Sequence, residues 1–143
     1  YTTLFRSRAI GLSAALLTLT ACGANDELSS YLTSIETATA QVSLNDIYND
    51  QWSEFAVVCP YTPSDYAKAE LDVGDTPWPD KWPDEQTNFL LLKSDTGEYK
   101  WVRYRRSNLD FCSEPRIDFT LFPTAATLEF TANDGWILES VHP

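Results

Sequence analysis

The sequence predicts an α+β fold: a single small domain with a mostly antiparallel sheet of about five strands, two helices and one disulfide. Three observations predict it. Apolar residues recur at helical spacing only in the first half of the chain, around Tyr31, Leu32 and Ile35 and again after Pro63. From Asn88 onward, short apolar runs are separated by the turn-forming segments Asp95-Thr96-Gly97-Glu98 and Asn133-Asp134-Gly135, the pattern of strands joined by hairpins. The order is therefore helix, strand, helix and then a run of strands only, which favours an α+β over an α/β architecture. Finally, Cys59 and Cys112 flank the central strands.

The first 21 residues read as a signal peptide. Arg6 and Arg8 precede an apolar run over 9–19, and the small residues Thr20 and Ala21 follow it. That order is basic region, apolar region, cleavage site. The run is shorter than the roughly 20 residues needed to span a bilayer. Leu19-Thr20-Ala21-Cys22 resembles the bacterial lipobox. The resemblance implies cleavage before Cys22 and acylation of that cysteine with diacylglyceryl and palmitate chains. It also implies a cell-membrane location facing the extracytoplasmic side, since two chains hold a protein stably where one is marginal. An ordinary signal peptide with a chance cysteine is the plainer alternative. Residues 22–30 are small and polar and read as a tether, leaving 31–143 as the domain.

Each element has its own warrant. Tyr31, Leu32, Ile35, Ala38 and Val42 predict a helix over 29–41, capped by Ser29 or Ser30. Residues 52–61 read as a strand, because Phe55-Ala56-Val57-Val58-Cys59 is continuously apolar, as in a strand covered on both faces. Pro60 ends it. Thr62-Pro63-Ser64-Asp65 is a helix start: Thr62 can cap, proline suits the first turn, and Asp65 complements the dipole. That helix extends to about Asp72, with Gly74 as its stop. Residues 75–85 interleave Trp78 and Trp82 with Pro77, Pro79 and Pro83, which excludes regular structure. Strands follow over 89–93, 99–105, 116–122, 127–131 and 136–141. There is no internal repeat.

The formal net charge is −11. Removing Arg6 and Arg8 with the leader leaves eight basic against 21 acidic residues, or −13. Nucleic acid is therefore excluded as a partner, because that affinity rests on Lys and Arg neutralising phosphates. A polybasic grip on anionic lipid is excluded for the same reason. With Cys22 committed to lipid, Cys59 and Cys112 form an even pair in an oxidising compartment and read as a disulfide; two buried free thiols are the alternative. A metal centre is not expected, since there is no Cys-x-x-Cys and His142 is the sole histidine. No cofactor is expected either.

Trp52-Ser53-Glu54-Phe55-Ala56-Val57-Val58-Cys59-Pro60-Tyr61-Thr62 precedes an acidic helix, a Trp-bearing loop and a hairpin ending in Arg106-Ser107-Asn108-Leu109-Asp110-Phe111-Cys112. This series resembles a group of small exported bacterial lipoproteins, of which the cysteine pair suggests the high-GC Gram-positive branch. The resemblance covers roughly 45–112. It implies a fold and no activity.

Two candidate binding sites stand out. Trp78 and Trp82, with Asp80 and Asp84, can form a platform for a sugar ring or anchors at a protein interface, where Trp is enriched; alternatively, the indoles fold back as a lid on the core. The second is a basic strand holding Lys100, Arg103, Arg105 and Arg106. Period 2 places Trp101, Arg103 and Arg105 on one face and Val102 and Tyr104 on the other. Those arginines either hold a carboxylate or phosphate ligand or pair with acids on neighbouring strands. No carboxylate spacing singles out a glycosidase pair. There is no Gly-x-Ser-x-Gly, and His142 sits at the chain end with no second histidine to support a nucleophile. The expectation is a non-catalytic, lipid-anchored binding module for an envelope protein or wall polymer. An inhibitor or immunity-type module against a secreted enzyme is the alternative, and an acid-dependent hydrolase ranks third.

Overall fold

Two four-stranded sheets share one apolar core, and the second sheet carries a further apolar layer on its opposite face. The computed structural model describes residues 26–73, 79, 82–114 and 117–143. The elements are α1 (Glu27–Thr33), β1 (Thr39–Ser43), α2 (Leu44–Tyr48), β2 (Glu54–Val58), α3 (Ser64–Leu71), β3 (Thr87–Lys93), β4 (Tyr99–Arg105), β5 (Leu109–Asp110), β6 (Phe122–Pro123), β7 (Thr127–Ala132) and β8 (Trp136–His142). One sheet runs β1-β7-β8-β5 and the other β4-β3-β2-β6. All pairs of named strands are antiparallel except β5 with β8. The α+β class and antiparallel character are thus as expected, while the described residues hold eight strands and three helices, not five and two.

The central strands follow their composition. β2 and β3 carry the continuous apolar runs Phe55–Val58 and Phe89–Leu92 because both faces are covered there. Phe55, Val57, Leu90 and Leu92 point into the shared core with Val42, Leu128, Phe130 and Leu138 of the first sheet. Ala56, Val58, Phe89 and Leu91 point the other way, under Leu71 and Val73. Each fully buried Leu or Phe contributes about 1.5–3 kcal/mol relative to exposure. α3 ends at Asp72, which takes the left-handed conformation (φ 49°), and Lys93 Nζ donates to the freed Leu71 carbonyl at 3.4 Å. Its N-cap is Pro63 without a side-chain cap bond, so Thr62 does not cap it. Gly74, the expected stop, lies outside the described residues.

The helix expected over 29–41 is corrected on three counts. It starts at Glu27, ends at Thr33 and is capped by Asp26, whose Oδ1 accepts from Ser29 N at 3.0 Å. Tyr31 and Ala38, which belonged to the helical spacing, are exposed, while Ala40 and Val42 alternate inward as β1 pairs with β7. Cross-strand pairing overrides a weak helical signal in a threonine-rich segment. Asp26 and Leu28, placed in the tether by the sequence, are 8% and 0% exposed, so residues 26–30 belong to the folded domain. The strand expected over 116–122 reduces to an isolated Val57–Asp118 bridge and β6. Phe119 has φ +60°, which interrupts extended backbone there.

Cys59 and Cys112 are joined, with Cα atoms 5.7 Å apart and a sequence separation of 53. They tie the end of β2 to the segment after β5. Gly135 marks a close backbone approach: a Cβ there would sit 2.3 Å from the Ser107 carbonyl oxygen. Replacing both cysteines by serine is expected to lower unfolding free energy by about 4 kcal/mol in urea titrations. Gly135→Ala must displace backbone and is expected to cost more than Gly97→Ala. The latter meets open space and carries only the left-handed penalty, about 1–2 kcal/mol.

Candidate binding surface

The outer face of the second sheet carries two of the arginines singled out by sequence, with Trp82 packed on its apolar layer. On β4, Trp101, Arg103 and Arg105 share this face, and Val102 and Tyr104 are buried on the other, as period 2 requires. In register, Arg103 lies opposite Phe89 and Arg105 opposite Thr87. Both arginines are exposed, and no ion pair within 4 Å involves either among the described residues. Arg103 acts on the neighbouring Asp84 over a longer range. The Thr87 hydroxyl, the Gln86 N–H and then Arg103 hold the Asp84 carboxyl below its usual value.

Trp82 is half-buried against the outer core, and its Nε1–H donates to the Thr62 carbonyl at 2.5 Å. It therefore acts as a lid that fastens the 82–86 turn to the β2–α3 connection. Trp78 and Asp80, the other named members of that loop, lie outside the described residues. Arg106 does not join the exposed arginines. It folds onto Asp110 through a two-pronged contact, Nε to Oδ1 at 3.1 Å and Nη2 to Oδ2 at 3.0 Å, and its Nη1 donates to the Glu85 carbonyl at 3.2 Å. Arg106, a candidate binding cation by sequence, thus has an internal partner, its planar fork lying along a nearly buried carboxylate. Lys100 lies on the inner face, paired with Glu27 at 3.1 Å and 5.0 Å from the Tyr48 ring centroid.

Sequence reasoning missed Tyr61. Its side chain is 74% exposed, and its backbone sits at φ +68°, a region that costs a bulky residue on the order of 1–3 kcal/mol. Its hydroxyl donates to the Glu85 carboxylate, which raises the phenol's pKa. The available signal was an aromatic between Pro60 and Pro63, directly after the disulfide. The disulfide holds one end of this corner. The other side of the disulfide is held by Asp110, which also accepts from Cys112 N and Ser113 Oγ, each at 2.7 Å. Burial pushes the Asp110 carboxyl up, but the Arg106, Ser113 and Cys112 donors outweigh it and hold it below the usual range.

Buried Asn88 fastens the same region from below. Its amide donates to the Tyr104 and Leu109 carbonyls, and its oxygen accepts from Phe111 N at 2.8 Å.

Four other clusters bring polar or titratable groups together. Asp26 Oδ2 accepts from the Tyr48 and Tyr104 hydroxyls, the latter at 2.5 Å. Desolvation first, then Asp26 for Tyr48, pushes both phenols far above their ordinary value, so they serve as fixed donors. Ser140 Oγ lies 3.0 Å from His142 Nε2, a contact the sequence reading did not foresee, because β8 extends to His142. Glu129 Oε2, however, accepts from Ser140 and faces the same ring nitrogen at 3.3 Å. A nucleophilic triad needs the acid on the opposite nitrogen. A shallow groove of about 540 Å³ is lined by Ile35, Glu36, Asn108, Asp134 and Trp136 among others. Its two carboxylates are exposed, whereas a general acid needs a desolvating pocket. The Cys59 and Cys112 sulfurs and an Asp118 oxygen lie within 4.8 Å, but bonded sulfurs offer no thiolate to a cation.

Among the described residues, no helix is long and apolar enough to cross a membrane. Compared with protein-family models, curated proteins and solved structures, the chain matches none.

The Arg106–Asp110 pair gives a pH signature. Because the folded carboxyl titrates below its unfolded value, its stabilisation is present above about pH 4 and is lost as pH falls through the lower folded value. Asp110→Asn is expected to cost about 2 kcal/mol at pH 7. The gap between variant and parent narrows below about pH 4 in urea titrations run across pH.

Proposed function

We propose that this chain is a lipid-anchored extracytoplasmic domain that works by binding, without catalysis. Its partner is an envelope protein or wall polymer presenting negative charge. The observation that carries this reading is the exposed Tyr61, held at φ +68° and bonded to Glu85, together with the exposed Arg103 and Arg105 of β4, the first of which acts on Asp84 beside Glu85. Three features support the reading. The chain is strongly acidic, so arginines on it meet abundant intramolecular competitors, yet among the described residues no ion pair within 4 Å involves these two. A strained backbone that displays an aromatic to solvent costs stability and contributes no packing. Rigid aromatics and arginines are the side chains that dominate binding energy at interfaces. The lipobox-like Leu19-Thr20-Ala21-Cys22 supports the anchor and its side of the membrane.

The test is a photo-crosslinking amino acid at position 61, placed in the full-length protein on living cells. A captured envelope component, protein or wall polymer, is expected. Arg103→Ala with Arg105→Ala should reduce capture at least tenfold while changing stability by less than about 0.5 kcal/mol per site. Unchanged capture in the double variant would overturn the assignment. Tyr61→Gly is expected to be at least as stable as the parent in urea titrations, because it releases the left-handed strain, and to bind more weakly.

A further inference from the structure

Three residues separate Cys22, the cysteine proposed to carry lipid, from Asp26. Asp26 is 8% exposed and bonded to Ser29 N, Tyr48 and Tyr104. Leu28 and Leu32 behind it are 0% and 1% exposed, and Glu27 is paired with Lys100 at 3.1 Å. The chain is thus seated in the domain from Asp26 onward. Only Gly23, Ala24 and Asn25 separate it from Cys22. Four Cα–Cα steps reach at most about 14 Å, where a tether ending at Ser30 would have reached about 30 Å.

We infer that the edge of the domain carrying Asp26, Glu27 and Lys100 rests against the bilayer surface, so that the lipid headgroup layer is its standing partner. This rests on the proposed acylation of Cys22. The edge suits contact with headgroups: the Glu27–Lys100 pair is polar and partly exposed, which lies on a bilayer without entering its hydrocarbon. A domain of this size has a radius of gyration near 13–14 Å, so no point on it lies more than about 50 Å from the lipid. The corner at Tyr61 is held within that distance, and its partner must be membrane-proximal.

The experiment uses the mature acylated chain, isotope-labelled and reconstituted on phosphatidylglycerol–phosphatidylethanolamine vesicles containing a nitroxide headgroup lipid. Relaxation enhancement at the Glu27, Leu28 and Lys100 amides is expected to exceed that of the domain as a whole. A second chain carries 12 Gly/Ser residues between Gly23 and Ala24, adding about 20 Å of reach. In it, that enhancement should fall several-fold while vesicle binding is unchanged. Equal enhancement in the two acylated chains would overturn the docked orientation and leave the anchor intact. Chains from cells with no acyl mass on Cys22 would instead sink the anchor reading, and the docked edge with it.

Discussion

One buried carboxyl joins the beginning of the domain to the rest. Asp26 terminates α1 as its cap and at the same time receives two phenolic hydroxyls, one from α2 and one from β4. Those two elements belong to different halves of the molecule, since α2 continues from β1 of the first sheet and β4 edges the second. A carboxyl taken from water must have its lone pairs filled or it destabilises the fold; here three donors fill it. The same residue therefore does what a longer helix or a larger core would otherwise do for a seven-residue helix, which is too short to be stable alone.

The second tightly determined region is the passage from β4 through β5 to Cys112. Asn88 satisfies three backbone groups from inside, Arg106 and Asp110 close the outside, and the disulfide joins the passage to β2. The consequence for function is geometric. Tyr61 follows the disulfide by two residues, and Arg105 precedes Arg106 by one. Both are displayed from supports that do not yield, which lowers the ordering cost of binding.

Legibility from sequence tracked the strength of the local pattern. β2, β3, β4 and β8 were readable because their runs are long, apolar or alternating, and bounded by Pro60, by Thr96-Gly97 and by Asp134-Gly135. β1 was hidden because Ala38 and Val42 also fit a helical spacing, and only β7 across the sheet decides for the strand. β5 and β6 are two residues each and exist by virtue of their partners. At the candidate site, alternation correctly separated Arg103 and Arg105 from Val102 and Tyr104. Arg106 lies one residue past the strand, where Asp110 and not the period sets its direction. Tyr61 was unreadable in a different way, since a left-handed backbone at a tyrosine is not signalled by its residue type.

The measurement that bears most directly on this account is a double-mutant cycle between Asp26→Ala and Tyr104→Phe, read by urea unfolding and by amide exchange in α1. The account predicts a coupling of about 1.5–3 kcal/mol, as for hydrogen bonds to a charged group. It also predicts that Leu32 exchange in Asp26→Ala proceeds through local opening of α1. Additivity within about 0.5 kcal/mol, with α1 still protected to the level of global unfolding, would contradict it.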